Sequence, residues 1–372
     1  MFNRRHEQEL AEIKATADEL AQDVQGVQEE LERISDAQER QLAIRRPSEP
    51  RPANADGGGP LLAFVHIPKT AGGTATTMLA TAYSKAGIHS AGNFVRGPEK
   101  TVKKVARRPG AWESWRRGGG RVTVGHVPYG LFREHLPPDA RYMTFLREPV
   151  DRVLSHYYRH VHHPDLSPAK RRERNEAGRE TAATIEEALV ELRVPQLTNL
   201  CTRFLCGAPS PMGELPESAL DDAKANLREF AFVGIQERFE QSIVLLQRML
   251  GLGAVPYLNR HVSQEGGRPS VDEISDEQRA LISECNRLDV ELYGFGLELF
   301  EQAVAAAGDG FAGDVEELRV RSADANDEAI RTAREWLDRE GVTTNKAGKV
   351  RLAAKEAGVP IPALKHVMGS RR

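Results

Sequence analysis

The sequence predicts an α/β fold, a mostly parallel sheet flanked by helices, with a coiled-coil helix before it and a small helical appendage after it. Three observations carry this. Between about residues 60 and 307, apolar runs of strand length alternate with stretches of helical period. The first such run, "LLAFV", meets a pair of glycines within a few residues, where a strand would turn into a helix. Ahead of both, Leu10, Ile13, Ala17, Leu20, Val24, Val27, Leu31 and Ile34 follow one another in alternating steps of three and four.

Taken in order, residues 1–45 are expected to form a self-associating coiled-coil stalk, because the stripe is narrow and polar residues fill the positions between. A Pro/Gly-rich linker follows over 46–60. The main domain, 61–307, opens with the strand "LLAFVHI" and a helix from Thr74 to Ala86. "RVTVGH" and "RYMTFLR" read as further strands, and "PVDRVLSHYYRHV" as a helix opened by Pro149 with Val150, Val153, Leu154, Tyr157, Tyr158 and Val161 along one buried stripe. "IEEALVEL", "SIVLLQRML" and "SDEQRALISECNRLDVELYGFGLELFEQAV" are expected to be covering helices. Residues 308–372 begin acidic and end basic: from Gly341 onward seven Lys or Arg stand against one acid. "DEAIRTAREWLDREG" and "KVRLAAKEAG" read as two helices there, a solvated appendage rather than a nucleic-acid reader.

Bulk composition narrows the function. A 372-residue chain with 40% hydrophobic residues supplies a sizeable core, and a net charge of −3 gives no global reason to bind nucleic acid or membrane. Cys201, Cys206 and Cys285 lack metal-ligand spacing and are expected as reduced thiols in a cytoplasmic protein. The amino terminus turns polar at once, and no run approaches the roughly 18–20 apolar residues of a membrane helix.

The chemistry concentrates in "HIPKTAGGTAT", residues 66–76. A strand that turns through Gly72 and Gly73 into a helix aims backbone N–H groups and the positive end of the helix dipole at an anion. Thr70, Thr74 and Thr76 add hydroxyl donors, and Lys69 adds a mobile full charge. The lysine precedes the glycines, the reverse of the GxxxxGK[ST] nucleotide loop. That order argues against the first alternative, a P-loop nucleotide kinase.

With the second motif, "YMTFLREPVDRVLSHYYRH", the chain resembles the sulfotransferases that use 3′-phosphoadenosine 5′-phosphosulfate, especially the uronyl and heparan sulfate 2-O branch of the carbohydrate sulfotransferases. The resemblance covers about two thirds of the chain. It implies a P-loop-like sheet and a donor site in which Lys69, Thr70, Ala71, Gly72, Gly73, Thr74 and Thr76 hold the 5′-phosphosulfate. Arg147 and Ser155 hold the 3′-phosphate, and Glu148 stands where the family has aspartate. Lys69 would lie beside the oxygen that bridges phosphate and sulfate. A third element, "VTVGHVPYGLF", matches the strand end at which the 2-O branch carries its proton-accepting histidine, here His126. Heparan-acting members have another histidine two positions earlier, where this chain has Val124.

The activity that the resemblance implies is in-line transfer of a sulfuryl group to an acceptor hydroxyl, of carbohydrate class, with Lys69 and His126 catalytic and no metal required. Arg203, Glu237, Arg238 and Arg260 are further candidates for donor or acceptor contact. His160, His162 and His163 read as an exposed stretch near the acceptor rather than a metal site. A second alternative, a non-catalytic oligomeric nucleotide-binding assembly protein, would use the stalk at residues 10–34 and the basic tail; the joint presence of Lys69, His126, Arg147 and Ser155 argues against it.

Overall fold

The computed structural model describes residues 60–83, 87–107, 110–177, 180–208, 213–258 and 268–339. The expected stalk, nearly all of the linker, the basic end of the tail and Arg260 lie outside the described residues. The chain divides into two compact units, residues 49–325 and residues 1–48 with 326–372.

The first unit is built on a five-stranded sheet of β1 (Leu62–Val65), β2 (Ile88–Asn93), β3 (Val122–His126), β4 (Arg141–Leu146) and β5 (Phe232–Ile235). The order is β2-β3-β1-β4-β5 and every pairing is parallel. β1 is therefore central, with β3 and β4 on its flanks, and the carboxyl ends of all three meet at one rim. Side-chain alternation explains why "LLAFV" is uniformly apolar. Leu61, Ala63 and Val65 enter one core with Phe132, Phe204 and Leu292, while Leu62 and Phe64 enter another with Met78, Leu79, Met143 and Phe145. A sheet covered on both faces needs apolar side chains at both parities.

Between and after the strands come α1 (Gly72–Tyr83), α2 (Pro98–Val105), α3 (Ala111–Arg117), α4 (Tyr129–His135), α5 (Pro149–His156), α6 (Pro168–Glu176), α7 (Leu200–Leu205) and α8 (Ala219–Glu229). The chain then runs through α9 (Phe239–Met249), α10 (Asp276–Cys285), α11 (Arg287–Ala306) and α12 (Phe311–Arg339). Glu148 caps α5 by accepting from the N–H groups of Val150 (3.0 Å) and Asp151 (2.6 Å), and Pro149 fits the first turn, where no N–H is needed. The buried Asp289 of α11 caps α7 in the same way, accepting from the N–H groups of Cys201 and Thr202 and from the Thr202 hydroxyl. All three cysteines are free, with Cys201 and Cys206 in the core.

Several expectations need correction. The helix at 149–161 is α only to His156 and widens into a π turn over Tyr157–Val161, and the helix expected around residue 188 is likewise a π turn, Glu187–Glu191. β2 was not expected as a strand, because this edge strand is polar, half exposed and broken by a bulge between Ser90 and Gly92. β5, just ahead of the helix expected at "SIVLLQRML", was not expected as a strand, because so short an apolar run cannot be told from helix by periodicity. Finally, the first unit continues past residue 308, because Phe311, Val315 and Leu318 of α12 join the second core.

Candidate active site

The rim carries the sequence motifs together. Immediately after β1, the chain takes left-handed backbone at Lys69 (φ 74°) and Ala71 (φ 63°) before α1 begins at Gly72. Such a conformation costs a residue with a Cβ roughly 1–2 kcal/mol and is held only when surroundings enforce it. Part of that enforcement is visible: Thr70 is fully buried and its hydroxyl donates to the carbonyl of Ile67 at 2.9 Å. The turn is thus made by residues 69–71, and Gly72 and Gly73 already belong to the helix. The N–H groups of Thr74 and Ala75 donate to the carbonyl of Ala71 at 3.1 and 3.4 Å, which ties the first turn of the helix to the loop.

The expected hydroxyl donors are redistributed by this geometry. Thr70 points inward, and Thr76 donates back to the carbonyl of Gly72 at 2.7 Å, as helical threonines do. Thr74 stands half-buried in the first turn of α1.

Cations converge on the loop. Burial, followed by the charges of Arg159, Arg147 and Arg268, pushes the Lys69 ammonium down to about 8. Arg147, just past β4, donates through Nη1 to the carbonyl of Lys69 at 3.0 Å and through Nε to Asp151 at 2.8 Å. Arg268 pairs with the other oxygen of Asp151, so one carboxylate holds two guanidinium groups beside the loop. Ser155 lies one turn beyond Asp151 on α5 and is buried. Two guanidinium groups from distant parts of the chain thus stand beside the loop, positive charge of the kind an anion would meet.

His126 closes the other flank. Its Nδ1 is 2.6 Å from the carbonyl oxygen of His66. A carbonyl only accepts, so Nδ1 carries the proton and Nε2 of the neutral ring keeps its lone pair. Burial lowers the pKa of His126; the His66 carbonyl works in the opposite direction and the charge of Arg96 adds to the lowering. The ring stays neutral at neutral pH and can accept a proton at Nε2.

Residues 60–296 match the sulfotransferase family. The chain belongs to that family. It is 26% identical over 257 residues to heparan sulfate 2-O-sulfotransferase 1 of Xenopus laevis, a match covering 65% of this chain and 70% of the frog protein. Human heparan-sulfate 6-O-sulfotransferase 1 is 31% identical over 93 residues, 25% of this chain and 22% of that one. A crystal structure of a sulfotransferase from Alicyclobacillus acidocaldarius aligns with a TM-score of 0.35 and 17% identity, covering 63% of this chain and 94% of that one. The protein is an enzyme, and the nucleotide kinase alternative is not favoured.

Other candidate residues of this sulfotransferase serve its own scaffold. Arg203 donates to the carbonyls of Thr198 (2.8 Å) and Gly213 (2.5 Å), and Arg238 pairs with Glu301 at 2.7 Å. Glu237 accepts from the N–H of Glu148 (2.9 Å) and from the Tyr293 hydroxyl (3.1 Å), which fixes the start of α5. His162 bonds the Tyr157 hydroxyl at 2.8 Å, while His160 packs on His156 with ring centroids 5.0 Å apart. Among the described residues no group of three His, Cys, Asp or Glu is placed to hold a metal, and no helix is long and apolar enough to cross a membrane. Val124 is buried in the second core. Sequence reasoning missed His66, Asp151 and Arg268. Asp151 sits in plain view within the second motif, but only the fold brings Arg268 to it.

Proposed function

We propose that this sulfotransferase moves the sulfuryl group of 3′-phosphoadenosine 5′-phosphosulfate directly to a carbohydrate hydroxyl. The observation that carries the proposal is the single rim that places Lys69, an arginine pocket and a histidine of fixed tautomer around the end of β1. The relatives named for heparan sulfate support a glycan acceptor. The loop from Lys69 to Thr76 receives the 5′-phosphosulfate through backbone N–H groups and Lys69, and Arg147 with Ser155 receives the 3′-phosphate.

In the transfer step, His126 takes the acceptor proton at Nε2 as the acceptor oxygen bonds to sulfur. The bond from sulfur to the bridging phosphate oxygen breaks in line, and Lys69 meets the charge that this oxygen gains. No covalent intermediate on the enzyme is needed. The groups are adequate in scale: a general base contributes ~10²–10⁴-fold, and one preorganised charge donor ~10²–10³-fold. Self-association through residues 10–34 belongs to the same proposal, resting on the heptad seam alone.

The test is incubation of purified protein with ³⁵S-labelled donor and heparan sulfate. Label is expected in the polysaccharide and absent with Lys69→Ala. Binding of 3′-phosphoadenosine 5′-phosphate without labelling of heparan sulfate or of mixed cellular glycans would exclude a carbohydrate acceptor.

A further inference from the structure

We infer that His66 is a positioning residue for His126, holding the imidazole against the carbonyl that fixes its tautomer. The inference rests on the reading of His126 as the proton acceptor. β1 and β3 pair in parallel with Val65 opposite Gly125, so the next residues, His66 and His126, stand side by side at the rim. Their contact is double. The main chain of His66 donates to the carbonyl of Gly125 (3.1 Å) and accepts from His126 Nδ1 (2.6 Å). The His66 ring lies 4.3 Å from the His126 ring, centroid to centroid.

The His66 ring is itself confined. On one side it stacks on Phe64, with centroids 5.2 Å apart and planes 21° from parallel. On another it presses on the start of α1: a Cβ placed on Gly72 would lie 2.1 Å from His66 Cδ2 and 2.3 Å from Nε2. Real Cβ atoms do not approach so closely, so Gly72 is required here for want of a side chain. Gly72 has helical backbone, and its φ is not positive. The donor loop and the proton acceptor are thereby joined through one ring: Phe64 and Gly72 hold His66, and His66 walls His126.

The two contacts do different things. The carbonyl decides which nitrogen of His126 is protonated, but a single hydrogen bond leaves the ring free to swing away. The His66 ring removes that freedom, which matters because a misplacement of about 1 Å in a reacting group can cost ~10²-fold in rate. A histidine serving only to join two strands would affect folding and leave the state of His126 alone.

The test uses the full chain with ¹⁵N-labelled histidine, and His126→Gln to assign the His126 signals. In the wild type, Nδ1 of His126 is protonated and Nε2 is not. His66→Ala is expected to average the two nitrogens toward a tautomer mixture. It should also lower single-turnover transfer from labelled donor to heparan sulfate by about tenfold to a hundredfold, with affinity for 3′-phosphoadenosine 5′-phosphate kept within about twofold. His66→Phe keeps a flat ring in the slot and should rescue most of both losses. If His66→Ala does not fold, Gly72→Ala, which drives a methyl into the ring, must disturb the same His126 signals. Unchanged His126 nitrogens in His66→Ala, or losses that His66→Phe does not rescue, would overturn the inference. If heparan sulfate takes no label from the wild type, the acceptor proposal fails, while the nitrogen signals still decide the role of His66.

Discussion

Lys69 is the group in the site whose charge should change closest to working pH, and that offers a direct test of its contact with the donor. Burial and three arginines bring its ammonium to about 8. A group with that pKa is about nine-tenths charged at pH 7 and about one-tenth charged at pH 9. The sign follows: Lys69 holds its charge below 8 and loses it as pH rises. The donor's phosphates are already ionised over this range, since their second pKa is ~6. If the anion needs the charged lysine, its affinity should fall about tenfold between pH 7 and 9. Calorimetry with 3′-phosphoadenosine 5′-phosphate at pH 7, 8 and 9, in two buffers of different ionisation enthalpy, measures both affinity and proton uptake. Uptake should be near zero at pH 7 and approach one proton at pH 9. Lys69→Arg keeps its charge throughout and should flatten the profile whatever its absolute affinity. An affinity that is level from pH 7 to 9, or a slope that persists in Lys69→Arg, would refute the placement of Lys69 on the donor.

Three further outcomes are expected. His126→Ala should leave donor affinity unchanged and slow transfer by ~10²–10⁴-fold. The wild-type rate should fall on acidification below the ordinary imidazole value of 6.5, since burial and Arg96 hold His126 down, and this limb should vanish in the variant. Arg147→Ala should abolish a preference of at least about tenfold for 3′-phosphoadenosine 5′-phosphate over AMP, as one charged hydrogen bond is worth ~1.5–3 kcal/mol; equal wild-type affinities in calorimetry would sink the donor assignment. Deleting residues 1–45 should lower the oligomeric state with donor binding intact, and light scattering that finds the full chain monomeric at micromolar concentration would contradict a self-associating stalk.

The parts of the fold legible in sequence were those with a periodic reason to be so. β1 shows as an unbroken apolar run because both its faces are covered, and α5 announces itself through Pro149 and the stripe that follows. β2 gives no such sign, because an edge strand with one exposed face and a bulge has no apolar period to keep. In the site, Lys69, His126, Arg147 and Ser155 come from local motifs and stand at or beside one rim. Gly72 was legible as necessary, but for a different reason: the left-handed residues are Lys69 and Ala71, and Gly72 is needed to leave room for the His66 ring. Arg268 and the double use of Asp151 follow from chain reversal over a long separation, which no spacing in the sequence encodes.

The central place of β1 divides labour between its neighbours. The arginine pocket depends on the flank toward β4, and the paired histidines depend on the flank toward β3. On the proposed roles, a change on the β3 side acts on proton removal and a change on the β4 side acts on donor binding. β1 is the strand to which both sides are fastened, so a shift in it reaches both at once.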